Sequence, residues 1–404
     1  MKYSRLILLA ICCFIGHLTL AQTRYGTGSG TSGGSTNSYF GWYTGHVNTA
    51  PYNTFIGGSS GRVNTTGRYN TFLGHESGRL NTTGGFNVFL GDRSGYGNTK
   101  GEKNVYVGSQ AGFSATTANN NTLIGNQSGY SNTTGRQNTF LGDRSGFKNV
   151  NGLGNVYLGY QAGFSGSTGR YNAIVGTQSG YSITTAVGNT MVGRASGRYA
   201  TSGVYNAYLG HFAGYRGTTA GYNVALGPFA GFRNVTGLRN VFIGSYAGYN
   251  ETGSNQLYIE NTSADTPLIY GDFGLNCVGI NTKEHTDAGT GDFYTLSVNG
   301  NFRAHEVDVY TGWADYVFED DYKLRTLEEV ETFIRKNKHL PDVPSAKVVE
   351  KEGISLGETS ATLLRKIEEL TLYMISSNKA MKTLQKKVEA LEKENKRLKA
   401  KSQK

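Results

Sequence analysis

An asparagine returns every 17 residues, without insertion, at twelve positions from Asn53 through Asn138 to Asn240. Glycine follows each of them four residues later, as in Gly57, Gly142 and Gly244, and again eight residues later, as in Gly61, Gly146 and Gly248. A fixed period of this length across half a chain is the signature of a stacked repeat architecture. Seventeen residues with two obligatory glycines cannot hold a packed helix pair, because glycine weakens helix interiors and the apolar runs are too short. Each unit is therefore one β coil, a short strand punctuated by glycine turns, and the fold class is mainly β: a β-solenoid of about twelve coils. At ~4.8 Å per layer, such a stack extends about 55 to 60 Å.

The unit reads Asn, Thr or Val, an aromatic residue, a branched aliphatic residue and Gly, as in Asn138-Thr139-Phe140-Leu141-Gly142. An asparagine fixed at one corner suits a ladder in which side-chain amides bond to each other or to the turn backbone. The glycines suit turns of positive φ or close contact between coils, so Gly142→Val is expected to damage folding more than a surface change. Residues 37–45 form a degenerate leading unit one residue out of step, as a terminal cap would be. Side chains one and three places after Asn share one face of the strand, and the residue two places after takes the other. In Asn87-Val88-Phe89-Leu90 both faces are apolar, and so narrow a coil has one interior. The second face is covered either by another wall of the coil carrying Phe113, Phe147 and Phe164, or, on the sharper reading, by identical subunits between which the aromatic rows pack, since an exposed row of this length exceeds ordinary surface patches.

The 404 residues include 58 glycines and five prolines, which excludes collagen, while 46 Tyr and Phe residues exclude a disordered Gly/Ser tract. Lys2 and Arg5, the apolar run from Leu6 to Phe14, and the small-residue exit at Ala21 have the layout of a secretory signal peptide over 1–21. Cleavage there leaves Cys277 as the one mature cysteine, so no internal disulfide is expected in a secreted protein. No later segment reaches the ~20 apolar residues of a membrane span.

The remaining divisions are a linker and capping repeat (22–52), the repeat head (53–256), a β adaptor (257–311), a more charged region (312–359) and a coiled coil (360–404). In the adaptor, Leu257-Tyr258-Ile259, Leu268-Ile269-Tyr270 and Val278-Gly279-Ile280 read as strands bounded by turn residues. Thr326 with Glu328 and Glu329 starts a helix ending near Lys338, and Leu340 to Pro344 is a rigid link. In the last segment Ile367, Met374, Met381, Val388 and Asn395 occupy one heptad position, and Leu363, Leu370, Ser377, Leu384, Leu391 and Leu398 its partner. Lys387 with Glu392 and Glu394 with Lys399 suit attraction between parallel chains, and Asn395 can fix register. Val and Met opposite Leu permit a dimer.

The residues offer little to catalysis. Residues 53–256 hold five acidic side chains, Glu76, Asp92, Glu102, Asp143 and Glu251. Asp92 and Asp143 lie three coils apart, about 14 Å by strand spacing, beyond the ~5 to 9.5 Å of paired glycosidase carboxylates. Glu76 and Asp92 occupy adjacent coils, where Arg79 and Arg93 make ion pairing the expected role. The coils lack the regular acidic positions of calcium-binding rolls, His46, His75 and His211 have no metal-ligand spacing, and no nucleophile motif is present. No cofactor or metal site is assigned. The repeat region carries 15 basic residues against the five acidic ones, a charge suited to anionic glycans or a cell surface. Nucleic acid is not expected as a partner of an exported chain. A Thr row from Thr65 through Thr133 to Thr218, interrupted at Val150, is either a flat ligand-binding ladder for ice or carbohydrate, or the outward side of a corner.

The Asn-x-aromatic-Leu-Gly-x-x-Ala-Gly-Tyr units over residues 37–256 resemble those of secreted and phage-tail-like bacterial fibre proteins, and are similar in kind to the left-handed β-roll heads of trimeric adhesins. Those adhesins typically use a shorter coil, so handedness and interface come by analogy alone. The run from Trp313 to Leu370 resembles the C-terminal region of secreted fibre-like proteins of the Bacteroidetes and, more distantly, the intramolecular chaperone domain of tail fibres and endosialidases. That resemblance implies three strands rather than two. Self-cleaving members open on a Ser-Asp pair, whereas Gly312-Trp313-Ala314-Asp315 has no Ser, so cleavage is not expected. The expectation is a secreted, non-enzymatic, homotrimeric fibre whose head attaches to surfaces or glycans. A self-processing or glycan-cleaving tail-fibre-like protein and a purely structural spacer are the alternatives.

Overall fold

The computed structural model describes residues 23–25, 36–286, 291–313 and 315–402. The expected signal peptide at 1–21 lies outside them. The chain forms two units, one reaching Thr286 and including Phe293–Asn301, the other holding the chain from Phe302 onward.

The first unit is a parallel β-solenoid. Strands β1 (Thr23–Tyr25) and β2 (Ser38–Phe40) lead, and β3 (Thr54–Ile56) to β14 (Val241–Ile243) follow at the 17-residue period, with β5 at Val88–Leu90 and β8 at Thr139–Leu141. Each strand pairs in parallel with the same three positions of the next, so Phe72 stands over Phe89 and Phe89 over Tyr106. The leading unit is one residue short yet pairs in the same way, Tyr39 against Phe55. β15 (Gln256–Ile259) adds one more parallel strand after a 16-residue step. The direction then reverses, β16 (Ile269–Asp272) pairing antiparallel with β15 and with β17 (Cys277–Ile280), after which β18 (Leu296–Val298) runs parallel to β17.

The interior takes the residue two places after each Asn. Phe55, Phe72, Phe89, Tyr106, Phe140 and Tyr157 are fully buried, and neighbouring rings along the axis stack with centroids 4.7–4.8 Å apart. Burying such a side chain contributes about 1.5–3 kcal/mol, and each ring pair roughly 0.5–1.5 more. This row is hidden by its own coil and needs no sister chain. The second glycine of the unit makes that closure: Gly146 has φ +59°, and any side chain there would enter the Phe140 ring. The first glycine, Gly142, has φ +136° and faces the Gly159 carbonyl of the next coil too closely for a Cβ. The wall carrying Phe113, Phe147 and Phe164 does not fold across the strands' outer face: those rings stack in a column of their own, and Leu73, Leu90 and Leu141 on that face stay exposed.

Two buried asparagine ladders join the coils. Asn138 accepts the Asn155 backbone N–H at 3.0 Å, while its own amide donates to Gly152 at 2.9 Å and Asn121 at 3.1 Å. Asn53 and Asn240 make equivalent bonds at either end. The second ladder, eleven residues after the first, links Asn64, Asn81 and Asn98 through side-chain bonds of 2.5–2.7 Å. It lapses at Ala115, Gly166, Ile183, Ala200, Gly217 and Glu251, and around the first two gaps Asn98 Oδ1, both polar atoms of Asn132, and Asn149 Nδ2 are left unpaired.

The breaks follow a packing rule. Phe72, Phe89 and Phe140 share their coils with Asn81, Asn98 and Asn149, whereas Tyr106, Tyr157 and Tyr208 share theirs with Ala115, Gly166 and Gly217. A Cβ on Gly166 or on Gly217 would stand 3.2 Å from the hydroxyl of Tyr157 or Tyr208. In these three coils the tyrosine hydroxyl thus fills the space an asparagine takes beside Phe72, Phe89 and Phe140, whereas in the leading coil Tyr39 bonds to Asn48, and Ile183 and Ala200 stand there beside Ile174 and Met191. Burial pushes the phenols of Tyr106, Tyr157 and Tyr208 far above their ordinary value.

The second unit contains α1 (Leu327–Asn337), α2 (Ala346–Glu352) and α3 (Leu356–Ser402). Thr326 and Glu329 form a reciprocal capping box at the start of α1, and Lys338 ends it at φ +65°. The base of α3 is tied to the preceding loops: Tyr322 donates to Glu369 at 2.6 Å, Tyr373 donates to the Arg325 carbonyl at 2.6 Å, and Lys366 donates to Asp342 at 3.1 Å.

Gly166→Asn alone is expected to destabilise the stack by about 2 kcal/mol through collision with Tyr157. Adding Tyr157→Phe recovers most of that loss, because the new amide meets the unpaired Asn149. Urea melts of the two single variants and the pair test this, with an expected coupling of about 1–2 kcal/mol.

Candidate functional site

The coil geometry turns each sequence position into a column, so the candidate sites are surfaces. The outer face of the strands holds two apolar columns. One place after Asn stands Thr or Val, with Ala at Ala173 and Ala207, and three places after stands Leu, Ile or Val in all twelve coils. Leu73, Val88, Leu90, Leu141 and Val156 are exposed there, and no charged residue interrupts either column.

Nine places after Asn, six rings from Tyr96 to Tyr181 make a half-buried stack with centroids 4.9–5.1 Å apart. Arginine occupies the same column just beyond either end. Arg79 lies 5.6 Å from the Tyr96 centroid and Arg198 lies 5.0 Å from that of Tyr181. A guanidinium over the terminal π-face covers the electron-rich surface that the stack leaves open. The Thr column is committed to the fold: Thr82 and Thr99 donate their hydroxyls to the next coil's Thr carbonyls at 2.9 and 3.0 Å.

The acidic side chains are tied to neighbours. Glu76 is held by Arg79 at 2.7 Å and by Arg93 at 3.1 Å. Asp92 lies 3.2 Å from His75, and Asp143 accepts from Asn126 at 2.7 Å. Among the described residues no group of three or more His, Cys, Asp or Glu side chains is gathered to hold a metal.

The C-terminal end of the solenoid carries a polar network that sequence reading missed. The Tyr258 hydroxyl contacts Glu251 Oε2 and Lys283 Nζ, each at 2.5 Å. The Lys283 ammonium also lies 4.7 and 5.3 Å from the centroids of Tyr258 and Tyr270. Tyr270 bonds to Gln256, whose amide donates to Asp272 at 3.0 Å. Burial, with the Asp272 and Glu251 charges, pushes the Tyr270 phenol up to about 12. Cys277 is buried without a disulfide partner, and burial raises its thiol pKa. The only sequence signal for this network was the break in period after Gly248.

The heptad residues all fall on α3. Leu363, Ile367, Leu370, Met374, Met381, Leu384, Val388, Leu391 and Leu398 are 47–66% exposed, and Asn395 is exposed on the same helix. Among the described residues no helix is long and apolar enough to cross a membrane. No protein-family profile, curated protein or solved structure matches the chain.

Three carboxylates have pKa values below the ordinary range. Partial burial opposes this for each, but Lys366, Arg325 and Arg365 outweigh it at Asp342, Gln256 and the Gly274 and Leu275 amides at Asp272, and the Asn261, Thr262 and Leu268 amides at Glu260. A depressed carboxylate contributes stability above its unfolded value of about 4 and loses it as pH falls through the folded value. Residues 144–250 contain no Asp or Glu. Hydrogen exchange at pH 3 against pH 6, corrected for intrinsic rates, is therefore expected to quicken at 257–280 and 316–373 and to leave β9 (Val156–Leu158) to β13 (Val224–Leu226) protected.

Proposed function

We propose that the protein is a secreted, non-enzymatic, homotrimeric fibre or adhesin-like protein. Its solenoid head presents a repetitive surface for attachment to a cell surface or glycan, and its C-terminal region assembles the chains. The observation that supports this most is the stripe of α3, eleven positions at alternating three- and four-residue steps from Leu363 to Leu398, nine of them apolar and every one of those at least 47% exposed in the single chain, with Ser377 and Asn395 the two polar members. The helix of 47 residues spans about 70 Å at ~1.5 Å per residue and its stripe from Leu363 to Leu398 about 53 Å, and a stripe of that length is stable in water when like helices share it. The aliphatic column three places after each Asn, flanked by the Thr, Val and Ala column, offers identical chains a second apolar surface.

Three strands are preferred to two on the resemblance of residues 313–370 to trimer-forming C-terminal regions. Repetition suits attachment: weak sites on equivalent coils gain avidity when three chains carry them. The missing Ser before Asp315 favours a chain that stays whole. A structural spacer has the same assembly and no ligand.

Sedimentation of the mature chain is expected to give a trimer, and Leu384→Asp with Leu391→Asp a monomer that keeps its β-type circular dichroism. A wild-type monomer would overturn the assembly reading, and a dimer would overturn the subunit number. Surface attachment unchanged by deletion of residues 53–250 would remove adhesion.

A further inference from the structure

The charge of the solenoid is unevenly placed. Glu76, Asp92, Glu102 and Asp143 lie in its first half, and the ion pairs of the stack among the described residues are those of Glu76 and Asp92. Beyond residue 143 the coils carry arginine and no carboxylate until Glu251.

In the same stretch the column six places after Asn changes character. The coils from Ser59 to Gln178 place Ser, Glu, Arg or Gln there and the next places Ala195, whereas the last three place Phe212, Phe229 and Tyr246. Beside them, nine places after Asn, stand Tyr215, Phe232 and Tyr249. The two columns touch within each coil, at 4.9 Å for Phe212–Tyr215, 5.8 Å for Phe229–Phe232 and 5.6 Å for Tyr246–Tyr249. Along the axis their centroids are 4.7–5.3 Å apart. Six rings thus tile the surface two by three, partly exposed, where other coils have one aromatic column.

Arginines rim the tile. Arg194 lies 5.5 Å from the Phe212 centroid, Arg216 lies 5.8 Å from Phe232 and Arg233 lies 5.5 Å from Tyr249. Stacking on a ring holds each guanidinium in place and lowers the ordering cost of binding an anion. None of the three forms a salt bridge among the described residues, so no carboxylate of the fold neutralises them; Arg194 Nη1 lies 3.2 Å from His211 Nε2, which leaves its other N–H groups to a ligand.

We propose that this tile binds an acidic polysaccharide, with the sugar rings against the aromatic surface and their carboxylates or sulfates on Arg194, Arg216 and Arg233. Guanidinium matches a carboxylate through paired N–H donors, and the coil spacing repeats the site along an extended chain. Single-stranded nucleic acid fits less well. Its affinity comes largely from bases stacked on open ring faces, which these axially stacked rings do not offer, whereas a polysaccharide draws its affinity here from the arginines and takes the ring edges as an apolar bed. The inference rests on the attachment reading and names the ligand class and the coils that carry it.

Titration calorimetry of the full mature chain with polygalacturonate oligomers, dextran and oligo(dT) tests it. Polygalacturonate is expected to bind and to weaken as salt rises, and dextran is not expected to bind. Arg194→Gln with Arg216→Gln and Arg233→Gln is expected to weaken polygalacturonate at least tenfold. Arg68→Gln with Arg136→Gln and Arg170→Gln removes equal charge from another exposed column and is expected to change affinity less than twofold. Phe212→Leu with Phe229→Leu is expected to weaken binding with the melting temperature of the stack as its folding control. Equal loss in both arginine triples, tighter oligo(dT) binding, or no polygalacturonate binding overturns the inference. Sedimentation of the same samples separates the two readings: a trimer that ignores polygalacturonate sinks this inference alone, whereas a monomer sinks the assembly.

Discussion

The bond from each coil's backbone to the asparagine of the coil beside it holds the register of the whole stack. Asn138 Oδ1 accepts from Asn155 and its amide reaches Gly152, so one side chain fixes both the start of a strand and the turn that precedes the next. A slip of one residue would break every such pair and drive the ring two places later out of the core. Once register is fixed, each position meets its own kind along the axis. Rings stack on rings, amides bond to amides, and like charges would stand about 4.8 Å apart. The column six places after Asn shows how that last cost is avoided: Arg93 lies between Glu76 and Gln110, and the amides of Gln110 and Gln127 bond to each other at 2.9 Å.

Periodicity made the strands, their parallel order and the corner asparagines legible in the sequence, because twelve copies repeat one pattern. It did not reveal which strand face turns inward. Val88, Phe89 and Leu90 are all apolar, and hydrophobicity alone cannot rank the two faces. The deciding contact is Gly95, eight places after Asn87, whose bare Cα admits the Phe89 ring and leaves room for no other side chain. That glycine was visible, but its role depends on the shape of the turn and not on composition. The second asparagine ladder was equally visible at Asn64, Asn81 and Asn98. Its gaps at Ala115 and Gly166 obscured it until Tyr106 and Tyr157 were seen to take the missing volume.

The surfaces were less legible than the core. A column has meaning only when compared across coils, and the aromatic tile at Phe212, Phe229 and Tyr246 departs from a column that is polar from Ser59 to Gln178. The consensus averages that departure away. The terminal network suffers from the opposite problem. Glu251, Tyr258, Lys283 and Asp272 come from segments with no common spacing, so only the tertiary fold brings them together.

Termination follows from the same physics as propagation. A parallel stack has an open edge at each end, where unpaired backbone groups and an uncovered core ring invite further strands. At the C-terminal end the remedy is a change of direction. β15 still pairs in parallel with β14, but β16 returns antiparallel, and β17 follows it the same way, so the repeated register cannot be extended by another coil. The core closes at the same place. Phe242 meets Tyr258 at a tilted 58° instead of the near-parallel stacking found inside, and the Tyr258 hydroxyl is engaged by Glu251 and Lys283. An apolar column that must end near water thus ends on a ring with a polar handle, and the charges that would disturb the uniform coils are gathered where uniformity stops.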